Sequence, residues 1–469
     1  MLLRRIYHDR LSQAAYLVGC EASKEAIVVD PMRDPAPYLE AAREEGMRIV
    51  AVTETHVHAD FLSGASVLSR AAHASLLLSG EGGGAAGYRR DAFPDVRWLR
   101  DGERLTIGAV AINVMHVPGH TPEHLAFLVT DTARDDAPMG MLSGDFLFVG
   151  DVGRPDLLER AAGLEGTMEE AARQLHASLG RLQSLPDYLQ IWPGHGAGSA
   201  CGKALGAVPQ STLGYERRTN WALGVRSEAE FVARVLEGQP EPPAYFARMK
   251  VRNATPVAAT GAWLPATEDA LRHALLCGAL AVDVRAPREF ARGHLTKSIN
   301  VPLGHSFLGW AGSVIPEDRE AVLVAPRAER ASAEGAAVEL RLIGLERVLG
   351  VLPVERLAAE GVALATLPTI PAADLDGRAD RDAIVLDVRS RSEWAEGHVP
   401  GARLIPLPEL VGRLPELRGG GPIMVHCQGG SRSAIAASVL AANGFDEVAN
   451  LDGGFAAWVR AGHTPATGD

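Results

Sequence analysis

The sequence predicts a multidomain α/β chain. A layered α/β region of about 245 residues comes first, and two copies of a smaller α/β module follow it. Three observations predict this. The chain has 469 residues, more than one ordinary domain holds. Its first half is a series of short apolar runs that each end in polar residues. Its second half contains an internal repeat, with 279–303 matching 383–407 and 321–352 matching 422–454.

The elements follow in order. AIVVD (26–30) and RIVAVTET (48–55) are β-branched runs that stop on polar residues. PAPYLEAAREEG (35–46) has helical patterning and a stop at Gly46. VAINVMHVPGH (110–120) and MGMLSGDFLFVG (139–150) are further strands with polar ends, where layered folds place their sites. Over 205–265 the segments QSTLGYERRTNWAL and PEPPAYFARMKVRN, rich in proline, aromatic and basic residues, predict a last helix and a packed connector. The two repeats share a frame of apolar strand, Asp-Val-Arg, acidic-aromatic helix, Gly-His and a second strand ending in proline. The expected boundaries are 1–245, 246–365 and 366–469, with the repeat fold itself over 265–365 in the first copy.

Composition narrows the function. A net charge of −12 argues against nucleic acid as a partner, because phosphate binding needs a basic face. Apolar residues make up 47% of the chain, yet no run approaches the ~20 residues of a membrane span. The N-terminal MLLRRIYHDRLSQ lacks the apolar stretch of a signal peptide. Four scattered cysteines (Cys20, Cys201, Cys277, Cys427) make no disulfide framework, so the expected location is the reducing cytoplasm.

THVHADF (55–61) places His56, His58 and Asp60 on one short segment, and His116, His120, Asp145 and His195 sit at other strand ends. Any one of the 15 histidines taken alone is better read as a surface residue. The cluster H-x-H-x-D is a different matter, because no surface loop requires it. THVHADF, VPGHTPEH, SGDFLFVG and WPGHG together resemble the metallo-β-lactamase fold over roughly residues 1–245. The resemblance implies an αββα architecture with the metal at one edge of two packed sheets. Dinuclear hydrolases of that fold, such as glyoxalase II, carry H-x-H-x-D-H, and here the last position is Phe61, which has no lone pair. The loss of that ligand disfavours two-metal hydrolysis and resembles the mononuclear persulfide dioxygenases. By that resemblance His56, His120 and Asp145 hold one Fe(II) per chain. Two imidazoles and a carboxylate on one face leave positions open for substrate sulfur and O2, and zinc has no redox chemistry to offer there. His58, Asp60 and His195 would orient ligands or substrate from behind. Arg154, in VGRPD, resembles an arginine that lines the thiol-substrate pocket, with a surface salt bridge as the alternative. Cys201, close after His195, is either a buried inert thiol or a handler of sulfane sulfur.

VHCQGGSRS (425–433) lies between an apolar run and a helical pattern, so it predicts strand, loop and helix. Gly429 and Gly430 would turn backbone N–H groups inward toward an anion, with a helix N-terminus behind them, and that field would favour a Cys427 thiolate. The C-x4-R loop closing at Arg432 resembles rhodanese, as do DVRSRSEWAEGHVPGA and LDGGFAAW. Gln428, Ser431 and Ser433 would help hold the anion. The first copy places Pro326 at the position of Cys427, so it is expected to keep the rhodanese fold without catalysis. The whole resembles bacterial persulfide dioxygenase–sulfurtransferase fusions. That resemblance implies small-molecule persulfides, O2 and sulfite as partners, thiosulfate as product and a homo-oligomer. The alternative is a zinc thioesterase of glyoxalase II type fused to rhodanese modules, and a third reading is a sulfur carrier with a vestigial metal site.

Overall fold

The computed structural model describes residues 1–83, 87–160, 163, 165–359, 361–375 and 383–468. The chain divides into two compact units, Met1–Gly261 and Ala262–Asp469.

The first unit holds two six-stranded sheets. One runs β1 (Leu2–His8), β2 (Gln13–Cys20), β3 (Glu25–Val29), β4 (Arg48–Thr53), β5 (Ser75–Ser79) and β6 (Arg97–Leu99), in that spatial order. Its first two pairings are antiparallel and the rest parallel. The other contains β7 (Arg104–Ile107), β8 (Val110–His116), β9 (Leu125–Asp131), β10 (Gly140–Gly144), β11 (Gln190–Pro193) and β12 (Ser211–Thr212).

Strand β2 shows why the layers form. Its residues QAAYLVGC are all buried, because both of its faces are covered. Tyr16 and Val18 join Ile27, Val29, Phe127, Leu142 and Trp192 in the core between the sheets. Ala15 and Leu17 face the other way, into a core under the helices Ala36–Glu44 and Ala65–Ala72. The second sheet is covered in the same manner by Met168–Gly180 and Glu228–Leu236. The period-2 alternation of a strand thus feeds two apolar layers at once, giving helix, sheet, sheet, helix.

The second unit contains two separate, mostly parallel sheets. The first is ordered β15 (Ile299–Asn300), β13 (Leu280–Asp283), β16 (Ala321–Ala325), β17 (Val348–Pro353). A short pair, β14 (His294–Leu295) with β18 (Leu364–Ala365), lies beside it in the chain. The second sheet is ordered β21 (Arg403–Leu404), β20 (Ile384–Asp387), β22 (Ile423–His426), β23 (Val448–Asp452), β19 (Thr369–Pro371). Corresponding strands therefore lie in the same order, and the likeness reaches individual side chains. Arg285 pairs with Asp283 and donates to Gly293 O at 2.8 Å. Arg389 pairs with Asp387 and donates to Gly397 O at 2.8 Å. Phe290 stacks on His294 at 3.8 Å between centroids, and Trp394 on His398 at 3.7 Å.

Among the described residues no helix is long and apolar enough to cross a membrane.

Candidate metal centre and cysteine loop

Four loops leave strand ends of the first unit and meet. His56 follows β4, His120 follows β8, Asp145 follows β10 and His195 follows β11. Close backbone packing makes this possible. Gly153 sits so near the Asp145 loop that a Cβ there would lie 1.7 Å from Asp145 O. Gly144, at φ +52, takes the left-handed turn that releases Asp145 from its strand.

The ligand atoms of His56, His120 and Asp145 all lie within 4.8 Å of one another, and all three residues are buried. Asp145 Oδ2 has Nε2 of His195 at 3.4 Å, of His120 at 3.5 Å and of His56 at 3.9 Å. None of the three is positioned to give it a well-formed hydrogen bond. A buried carboxylate oxygen without a donor is costly. Ligands about 2.1 Å from a cation sit roughly 3–4 Å from each other, so a divalent ion fits this spacing. The residues present fit a metal.

Each imidazole also has its outer nitrogen occupied. His56 Nδ1 meets Thr55 Oγ1 at 2.9 Å, His120 Nδ1 meets Arg154 O at 3.0 Å and His195 Nδ1 meets Ser12 O at 3.1 Å. These bonds turn every Nε2 inward. Burial holds His120 down to about 4 and His56 well below its ordinary value, so both are neutral with a free lone pair. Burial alone would raise Asp145, but the charged His195 beside it outweighs burial and keeps the carboxyl well below the usual range.

His58 turns away from this group. Its Nε2 is 3.1 Å from Asp30 Oδ1, and the same carboxylate takes Thr55 N at 2.6 Å and Thr55 Oγ1 at 3.0 Å. Burial would lower His58, yet Asp30 outweighs it and lifts it to about 9. Phe61 is fully buried, its ring 4.4 Å from that of His58.

Asp60, His195 and Cys201 form a second buried group whose ligand atoms also lie within 4.8 Å of one another. Burial pushes the Cys201 thiol up to about 12. Arg154 corrects the expectation of a substrate contact. It is fully buried, its guanidinium held by Asp156 at 2.8 and 2.7 Å and by the carbonyls of Ala200 and Pro240. Its role is to brace the loop whose carbonyl orients His120. His116 is only half-buried and meets Pro122 O at 2.8 Å, outside the group.

Several residues of the site carry no motif in the sequence. Asp30 ends AIVVD, and its strand end is its only signal. Asn253 lies in the segment expected to be connector. It donates to His58 O at 2.8 Å and Phe61 O at 2.6 Å and accepts from Ser63 N. Tyr245 donates to Asp60 O at 3.0 Å. The helix Phe246–Asn253 thereby clasps the THVHADF loop.

In the second unit, β22 runs into Cys427, and the helix Ser431–Ala442 follows the loop as the strand–loop–helix pattern predicts. Cys427 Sγ accepts from Gly430 N at 3.1 Å and Ser433 Oγ at 3.5 Å, with Gly430 at φ +105. Arg432 is bound by both oxygens of Glu393 at 2.7 Å, and that pairing outweighs burial to bring Glu393 down to about 2. Gln428 accepts from Arg389 at 3.3 Å, and Gln428, Gly429 and Ser431 are exposed. In the first sheet Pro326 follows β16 and a short 3-10 turn, Arg327–Glu329, replaces the loop.

Residues 8–195 match the metallo-β-lactamase superfamily and residues 371–461 match the rhodanese-like domain. A hydroxyacylglutathione hydrolase of Gloeobacter violaceus is 34% identical over 183 residues, covering 38% of this chain and 62% of that relative. The persulfide dioxygenase ETHE1, mitochondrial, of Bos taurus is 26% identical over 197 residues, 42% of this chain and 68% of that protein. The chain thus spans less than two thirds of the hydrolase. The crystal structure of a metallo-β-lactamase from Staphylococcus aureus subsp. aureus COL superposes with a TM-score of 0.67 and 37% identity, covering 75% of this chain and 99% of that one. With a metal-binding edge on two packed sheets and a cysteine loop in the second unit, this chain belongs to the metallo-β-lactamase superfamily and carries a C-terminal rhodanese-like domain.

Proposed function

We propose that the chain oxidises a low-molecular-weight persulfide to sulfite in its first unit and forms thiosulfate in its second. The observation that carries this reading is the buried His56, His120 and Asp145 group together with Phe61, an apolar ring where dinuclear hydrolases of the fold have another histidine. Two imidazoles and a carboxylate suit a mononuclear iron with open positions. Bound there, iron would supply the electron transfer that lets O2 react with sulfur. The protein's part is to hold His56 and His120 neutral, keep Asp145 ionised and exclude bulk water. The balanced reaction takes RSSH, O2 and water to RSH, sulfite and two protons.

At the cysteine loop, the Cys427 thiolate takes the outer sulfur of a second persulfide and releases RSH. Sulfite then attacks that outer sulfur, and the S–S bond breaks to give thiosulfate and the Cys427 thiolate. Gly430 N–H and Ser433 O–H are placed to hold negative charge on sulfur. The first sheet of the second unit is proposed as a rhodanese-like copy without a nucleophile. Its strand order and its Asp283–Arg285 pair support that, and Pro326 in place of cysteine explains the lost chemistry.

A second reading is a two-metal thioesterase. The Asp60, His195 and Cys201 group favours it, as do the hydroxyacylglutathione hydrolase relatives. Metal content and O2 uptake with glutathione persulfide decide between them. The expected result is one iron per chain and O2 consumption that is lost in His120→Ala. Two zinc ions, no O2 uptake and thioester cleavage would overturn the proposal. Cys427→Ser should still make sulfite but little thiosulfate.

A further inference from the structure

The first repeat of the second unit contains a cavity of about 280 Å³, a size that suits a small molecule. Ala281 on β13 and Leu357 on the helix Val354–Ala359, both buried in that repeat's core, line it together with the partly buried Leu275 and Leu295. By the repeat register, 279–303 against 383–407, Ala281 corresponds to Val385 and Leu295 to Val399. In the second repeat those two residues share their core with Trp458, which is 2% exposed. The helix Val354–Ala359 carries no aromatic residue, so it brings no ring to fill the first repeat in the same way.

Three cations line the same cavity, Arg272, Lys297 and Arg319, in a chain whose net charge is −12. The second repeat has glycine at two of these places. Lys297 corresponds to Gly401, and both are left-handed, at φ +64 and φ +75. Glycine takes that turn without strain and lysine does not, and strain of this kind is kept where a site needs the side chain. Arg319 precedes Glu320, whose carbonyl takes Leu280 N, just as Gly421 precedes Pro422, whose carbonyl takes Ile384 N. Arg319 donates to Gly278 O at 3.0 Å, and among the described residues no carboxylate pairs with it or with Lys297. The helix Glu268–Leu276 ends at the rim, where Cys277 N, Gly278 N and Ala279 N take carbonyls of its last turn and blunt its negative end.

We propose that this cavity binds a small aliphatic carboxylate. The chain lies against Leu275, Ala281, Leu295 and Leu357, and the carboxylate meets Lys297 and Arg319. Apolar walls alone would take any oily molecule, and the cations select one with an anionic end. The repeat without a nucleophile thereby becomes a ligand-binding domain. This inference stands apart from the chemistry proposed for the metal centre and for Cys427.

Calorimetric titration of the full chain with octanoate tests this, and wild type should bind it saturably. Losing charge-assisted hydrogen bonds weakens binding about tenfold or more, so the double variant Lys297→Gly with Arg319→Gln should lose that factor. Lys297→Gly gives the turn the residue its twin has, so the variant should fold. 1-Octanol, the same chain without the charge, should bind wild type about tenfold more weakly than octanoate and should not distinguish wild type from the variant. Cys277 reports where the ligand sits. It is the exposed cysteine of the four, and it lies between Leu276 and Gly278, which both line the cavity. Octanoate should slow its alkylation by iodoacetamide, read by peptide mass spectrometry. No saturable octanoate binding overturns the proposal. So does equal octanoate affinity in the double variant, equal wild-type affinity for 1-octanol, or Cys277 alkylation that octanoate leaves unchanged.

Discussion

Phe61 concentrates the choice between two chemistries into one side chain. Its fully buried ring lies against His58, beside a loop that already offers Asp60 to the group with His195 and Cys201. Phe61→His should bring a second ion, raising metal content by about one per chain and lowering O2 uptake, as read by elemental analysis and an oxygen electrode. A second residue-scale prediction concerns Glu393. Its partner Arg432 and the Ser390 cap bring its pKa down to about 2. A depressed carboxyl contributes stability above its unfolded pKa and loses it as pH falls through the folded value. The stability gap between wild type and Glu393→Gln, about 1–2 kcal/mol after solvent screening, should hold at pH 7 and shrink from about pH 4.5 to pH 2 in urea titrations. His56, His120 and Asp145 are legible in the sequence because their neighbours form motifs, and the structure brings the three together. The bracing role of Arg154 is not legible, because its partners Ala200 O and Pro240 O lie 46 and 86 residues away, where no local pattern shows them.

The strands of the first unit are legible as elements, since each apolar run stops where a site residue follows. The helix Phe246–Asn253 lies in the stretch read as a last helix and a packed connector, and its role is not legible there. Its clasp on the metal loop depends on hydrogen bonds 192 and 195 residues apart in sequence. Asn253→Ala removes three hydrogen bonds in one step and leaves buried carbonyls at His58 and Phe61 unpaired. A loss of about 2–4 kcal/mol is expected in urea unfolding, together with weaker metal retention on dialysis against a chelator. Unchanged metal retention would show that the loop holds its shape without the helix.

The two compact units predict separable activities. Residues 1–261 alone should bind metal and consume O2 without forming thiosulfate, and residues 262–469 should form thiosulfate from sulfite and a persulfide. Thiosulfate from the first piece, or none from the second, would count against that division. The internal repeat makes the second unit legible, since Asp283–Arg285 and Asp387–Arg389 recur in matching places. What one repeat does for the other is not legible, because it depends on packing between them. Asn300 N, in the first sheet, donates to Ser438 Oγ at 2.8 Å, and Ser438 lies in the helix that begins just beyond the Cys427 loop. The repeat that lacks a counterpart of Cys427 thus gives a strand edge to the helix that follows the Cys427 loop of the other. Removing the first repeat is therefore expected to loosen the helix behind the Cys427 loop, which ties the chemistry of one repeat to the presence of the other.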